Sequence, residues 1–284
     1  MPITRSLSHS RGLMQLAHSK PGHPIQSAPD DILRYIFEWT MADSVDSGDS
    51  DSPPWVLGQV CRRWRTVSRG HPPLWARISI RLVPSTRGRQ ARSGSGRTIE
   101  HLRLLLDLSK ASLLHIDLHL PVQDAAVSTV LLPILREHTH RWAALQIRYA
   151  PAVCGDVQVP LYDPRSLYFI RALSGAPFPT LGSLAISFPP SSTWQTETLA
   201  ATTVIFDAFC NATSLRSAVL DTESGVFPVP CGDLRQYQAA FNSSLVELPT
   251  LRRVENLRVC LNESVLARWR QSNAYPTTWV ESSS

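Results

Sequence analysis

The sequence predicts an α/β protein in two parts, a small N-terminal helical module followed by an irregular repeat array built on a curved parallel sheet. Three observations lead there. Between Pro29 and Trp75, apolar residues recur at helical spacing, and four of the chain's eight tryptophans gather in that short stretch. Beyond residue 99 a short apolar motif returns at intervals of roughly 30 to 40 residues. Helical stretches separate its copies, and strand alternating with helix implies parallel pairing.

The 284 residues carry 43% hydrophobic and 18% charged side chains, enough apolar surface for a real core. The net charge of +5 comes mostly from arginine, Lys20 and Lys110 being the two lysines, and it is spread along the chain rather than gathered in blocks. Nucleic-acid binding therefore ranks below protein binding. Cys61, Cys154, Cys210, Cys231 and Cys260 form no C-x-x-C pair, which points to reduced thiols in a cytoplasmic or nuclear protein without a bound metal or other cofactor. No run of apolar residues is long enough for a membrane span.

Residues 1–27 hold Arg5, Arg11, Lys20, several serines and no acid. A disordered tail is expected there, ahead of the mitochondrial targeting reading that the same composition allows. Asn211, Asn242 and Asn262 begin glycosylation-type triplets that occur by chance in a chain read as intracellular.

Ser27-Ala-Pro29-Asp30-Asp31 marks a helix start, with proline in the first turn and two carboxylates facing the positive end of the helix dipole. The helix should reach about Met41, with Ile32, Leu33, Ile36 and Phe37 on one side and Trp39 on another, so it is apolar on more than one face. An Asp/Ser/Gly loop follows from Ala42 to Ser52. Pro53-Pro54 opens a second helix carrying Val56, Leu57, Val60, Cys61, Trp64 and Val67, and Gly70-His71-Pro72-Pro73 stops it before the plug Leu74-Trp75. So small a unit, with neither disulfide nor metal, cannot cover its own large side chains and needs the rest of the chain or a partner.

Pro29-Asp-Asp-Ile-Leu-Arg-Tyr-Ile-Phe37, Leu57-Gly-Gln-Val-Cys-Arg-Arg-Trp-Arg-Thr-Val67 and Pro73-Leu-Trp75 together resemble an F-box of the F-box-like class expanded in fungi. Ala28 stands where that family usually has leucine, and Asp31 where it has glutamate. The resemblance implies that residues 28–76 form a helical F-box module gripping the Skp-type adaptor of a cullin-RING ubiquitin ligase. By position it assigns adaptor-binding and module-core roles to Pro29, Ile32, Leu33, Ile36, Phe37, Val60, Cys61, Trp64 and Trp75.

Residues 77–98 read as a strand, in which Ile78, Ile80 and Leu82 alternate with polar residues, followed by a mobile basic loop from Pro84 to Arg97. From 99 to 270 the L-x-x-L-x-L-like unit appears at Leu113/Ile116/Leu118, Trp142/Leu145/Ile147, Leu181/Leu184/Ile186, Leu215/Ala218/Leu220 and Val254/Leu257/Val259. Helices are expected at Val127 to His138, Leu167 to Leu173, Thr203 to Cys210 and Leu234 to Phe241. The whole is an irregular leucine-rich-repeat-like solenoid, a C-terminal region that the resemblance also leads one to expect. Residues 271–284 form a polar tail.

Side chains between the apolar strand positions should line an open face that meets an as yet unknown protein substrate: His115, Asp117, His119, Gln146, Arg148, Ser187, Asp221 and Arg258. The histidines and Asp117 on one strand could in principle ligate a metal, but a solvated strand face is the simpler reading, and no metal is expected. No G-x-S-x-G, P-loop or H-E-x-x-H pattern occurs, so the chain should be a non-catalytic adaptor. The alternatives are an F-box-shaped interaction scaffold outside a ligase, and a basic protein holding nucleic acid through the arginine loop.

Overall fold

Proline and paired carboxylates do set the first long helix. The computed structural model describes residues 24–41, 45–46, 52–82, 90–121, 125–150, 153–154, 157–158, 168–187, 207–223, 229–230, 232–241 and 253–261. A single turn, α1 (Pro24–Ser27), precedes the long helix α2 (Asp30–Thr40). Ile25 of that turn packs against the core, so the last residues of the expected tail are ordered; residues 1–23, with the targeting question, and 271–284 lie outside the described residues. Asp30 and Asp31 occupy the first turn of α2, and Arg63 donates to Asp30 at 2.6 and 3.0 Å and to the carbonyl of Ala28.

The expected second helix is two helices, α3 (Pro53–Val60) and α4 (Arg62–Arg69). They break at Cys61, whose backbone is extended at φ −157° and ψ 171°. Its Sγ accepts from the Trp64 amide at 3.5 Å, so Cys61 starts a helix instead of continuing one. A continuous apolar stripe gives no sign of such a break. A 3₁₀ turn, Pro72–Trp75, then buries Leu74 and Trp75, and the Trp75 indole donates to the Ser68 carbonyl at 2.8 Å.

Eight strands form one sheet in sequential order, every pairing parallel. They are β1 (Val45–Asp46), β2 (Arg77–Arg81), β3 (Leu114–Pro121), β4 (Trp142–Ala150), β7 (Ser183–Ser187), β8 (Ser217–Glu223), β9 (Gln236–Phe241) and β10 (Asn256–Leu261); β5 (Val153–Cys154) and β6 (Val157–Gln158) make a separate antiparallel pair. This is an α/β architecture. Between the strands lie α5 (Gln90–Ser109), α6 (Ala125–Arg136), α7 (Tyr168–Ala172) and a 3₁₀ turn, Asp207–Phe209, each packed on the next in a second layer.

Register explains why one face is apolar. Ile78, Ile116, Leu145, Leu184, Ala218, Tyr237 and Leu257 stand side by side across the sheet. Two residues on, Ile80, Leu118, Ile147, Ile186, Leu220 and Ala239 form a second row. With a side-chain period of two, both rows point to the helix layer. From Ile78 and Ile80 to Tyr237 and Ala239 they join Leu33, Phe37, Leu74 and Trp75 in a single hydrophobic cluster, whereas Leu257 on the last strand is exposed. Much of the cover that the N-terminal helices need therefore comes from their own chain, with Trp55 set against Trp75 at 4.8 Å and His101 of α5 at 5.7 Å.

Three further expectations are corrected. The stretch expected as a loop from Ala42 to Ser52 holds strand β1, paired in parallel with β2, and residues 42–44 and 47–51 lie outside the described residues. The basic stretch expected as a loop up to Arg97 is helical from Gln90, because α5 is anchored downstream by the buried Leu102, Leu105 and Leu106 and propagates back through residues that show no stripe of their own. Residues 84–89 fall within the stretch 83–89, outside the described residues. The expected helix at Leu234 to Phe241 is strand β9. Leu234, Tyr237 and Phe241 fit a helical spacing, but Tyr237 and Ala239 are buried with period two, and pairing on both sides decides for the strand.

Candidate functional site

Helix α2 has two apolar faces with different fates. Leu33 and Phe37, one turn apart, are both 0% exposed, and Phe37 lies 5.0 Å from the ring of Trp64. Ile32, Tyr35 and Trp39 fall on another face and remain 51%, 59% and 75% exposed. Tyr35 and Trp39 meet edge to face at 5.8 Å, so the two rings form one continuous platform. Polar pairs border it: Arg34 with Asp31 at 2.9 Å, and Glu38 with His71 at 2.5 Å. Covering such side chains is worth about 1.5–3 kcal/mol each.

The nine positions assigned by resemblance divide accordingly. Leu33, Phe37 and Trp75 are interior and fully occupied by contacts within the chain; Ile36 and Trp64 are partly buried against the same core. Pro29, Ile32, Val60 and Cys61 are exposed. Tyr35, Trp39 and Val56 belong to the exposed set as well, and the signal for the first two was the helical spacing that joins Ile32, Tyr35 and Trp39.

The second surface is the sheet face away from the helices. Arg77, His115, Ala144, Ser183, Ser217 and Gln236 make one row in register, and Ser79, Asp117, Gln146, Ala185, Val219, Gln238 and Arg258 the next. Arg81, His119, Arg148 and Ser187 form a third. The face thus unites His115, Asp117, His119, Gln146, Arg148, Ser187 and Arg258; Asp221 belongs to strand β8. Sequence reasoning did not single out Arg77 and Arg81 at one side, nor the small floor of Ala144, Ser183 and Ala185.

Over that floor opens a hollow of about 340 Å³ walled by His115, Asp117, Gln146 and Arg148. Asp117 Oδ2 lies 3.3 Å from His119 Nε2 and 3.7 Å from Arg148 Nη2. His119 Nε2 also lies 3.4 Å from Arg148 Nη1, so it donates to Asp117 in one tautomer and accepts from Arg148 in the other. When Nε2 accepts, His119 holds the guanidinium; when Nε2 carries the proton, the 3.7 Å ion pair to Asp117 does so alone. Burial, and secondarily the charge of Arg77, hold His115 below the usual histidine pKa and so neutral near pH 7.

Among the described residues no group of three or more His, Cys, Asp or Glu could hold a metal ion, and no helix is long and apolar enough to cross a membrane. The chain matches no protein-family model, no curated protein and no solved structure.

Proposed function

We propose that this chain is the substrate-receptor subunit of a Skp-cullin-F-box type ubiquitin ligase, a non-catalytic adaptor acting in the cytoplasm or nucleus. Helices α2 to α4 with the Pro72–Trp75 turn are read as the F-box and the sheet region as a leucine-rich-repeat-like solenoid. The reading is supported most by the uncovered platform of Ile32, Tyr35 and Trp39, on the helix that carries the first F-box-like block. Aromatic residues beside arginine are the side chains that dominate binding energy at protein interfaces.

The test is co-expression with a Skp-type adaptor. The wild-type chain should capture it, and the double substitution Ile32→Glu with Trp39→Glu should abolish capture while the melting temperature stays unchanged. Undiminished capture by the double variant would sink the assignment. Failure of the wild type to capture the adaptor would favour an interaction scaffold outside a ligase, the reading that Ala28 and the acidic composition of residues 42–52 suggest.

A further inference from the structure

The open face of the sheet is uneven in charge. Among its described side chains the charged ones are Arg77, Arg81, Arg148, Arg258 and Asp117. Asp117 is directed at Arg148 and His119, so its negative charge is engaged within the face rather than offered outward. His115 is neutral. Arg77 and the outer part of Arg148 remain exposed beside a floor of alanine and serine, where an extended chain can approach the sheet without meeting large side chains.

We propose that this face takes an acidic peptide segment of a partner protein, lying over Ala144, Ser183 and Ala185 with its carboxylates paired to Arg77 and Arg148. Guanidinium forks match carboxylates in two-point geometry, and a braced Arg148 loses little freedom on pairing. The hollow of about 340 Å³ is shallow and open, which suits a segment of chain better than an enclosed small molecule. The inference rests on the receptor reading only in taking this face as the substrate side.

The experiment uses the full chain, a fluorescein-labelled peptide of alternating glutamate and glycine, and a glutamine–glycine peptide of equal length, followed by fluorescence anisotropy. Saturable binding of the acidic peptide alone is expected, weakened about tenfold by Arg148→Gln. Ala185→Trp fills the floor from the solvent side and should abolish binding without lowering the melting temperature. Equal binding of the glutamine peptide, or acidic-peptide binding that survives both substitutions, overturns the proposal. So does tighter binding of a single-stranded oligonucleotide, or no binding at all. The Ile32→Glu, Trp39→Glu chain should keep full peptide affinity, so loss of adaptor capture and loss of peptide binding are read separately.

Discussion

Arg141 Nη2 donates to the Leu106 carbonyl across 3.2 Å, so a cation from the turn before β4 closes the C-terminal end of helix α5. Its Nη1 reaches Ser109 Oγ at 3.0 Å and also donates to the carbonyl of Lys110. The acceptors are neutral oxygens at the negative end of the helix dipole, and burial lowers the guanidinium pKa from its usual value.

Removing that cation takes a charged donor from the Lys110 carbonyl and from Ser109 Oγ, while the Leu106 carbonyl keeps only the Ser109 hydroxyl at 2.8 Å. Arg141→Met should therefore lower the unfolding free energy by about 3 kcal/mol, read from the urea midpoint at constant slope. Arg141→Lys should recover less than half of the loss, because one ammonium cannot span the same acceptors. A change below about 0.5 kcal/mol in Arg141→Met would show that the contacts carry no net stability.

Lys110 follows α5 in the left-handed region at φ 47°. A residue with a Cβ is strained there by about 1 kcal/mol, and glycine is not. Lys110→Gly should raise stability by up to that amount, since the carbonyl that accepts from Arg141 is retained. A fall in the urea midpoint would mean that the lysine side chain contributes more than the backbone strain costs.

These contacts also show where sequence reading stops. The strand units were legible because Ile116/Leu118, Leu145/Ile147 and Leu184/Ile186 must all reach one core with period two, a constraint written in each strand separately. The α/β alternation followed from them. Strand β9 was hidden because the interval between equivalent positions shortens after Ala218, leaving no room for the expected helix, and only pairing with β8 and β10 reveals it. The partition of α2 into Leu33/Phe37 inside and Ile32/Tyr35/Trp39 outside depends on where α4 packs, which the apolar pattern of α2 leaves open. Similarly, Arg148 was legible as an outward strand residue, but its bracing by Asp117 arises from neighbouring strands.

His115 offers a pH readout of the open face. Its pKa is lowered first by burial and then by Arg77, so on acidification the unfolded chain takes up the proton before the folded one. Stability from this group is complete above about pH 6.5 and is lost as pH falls below it. In an NMR titration His115 should protonate below the usual histidine range, and Arg77→Gln should raise its midpoint only part of the way back. An unmoved midpoint would remove Arg77 from the cause.

Cys61 caps α4 through a sulfur, a weak acceptor, at 3.5 Å from the Trp64 amide. Serine has the same shape and a stronger acceptor. Cys61→Ser should hold or raise thermal stability, and Cys61→Ala should lower it by about 1 kcal/mol. Equal melting temperatures for the two variants would show that the break at Cys61 is held by packing rather than by the cap.

Ile32 and Leu33 are adjacent in the sequence and opposite in consequence. Leu33 is fully buried, so Leu33→Ala should cost about 2–5 kcal/mol by leaving a cavity next to Phe37. Ile32 is half exposed, and Ile32→Ala should change stability by less than about 0.5 kcal/mol. On the proposed function the order reverses for adaptor capture at low temperature, where both variants are folded. Ile32→Ala then weakens capture by removing direct contact area, whereas Leu33→Ala retains most of it. Urea melts and adaptor capture on the same two proteins measure both quantities, and capture that simply tracks stability would place the adaptor elsewhere on the chain.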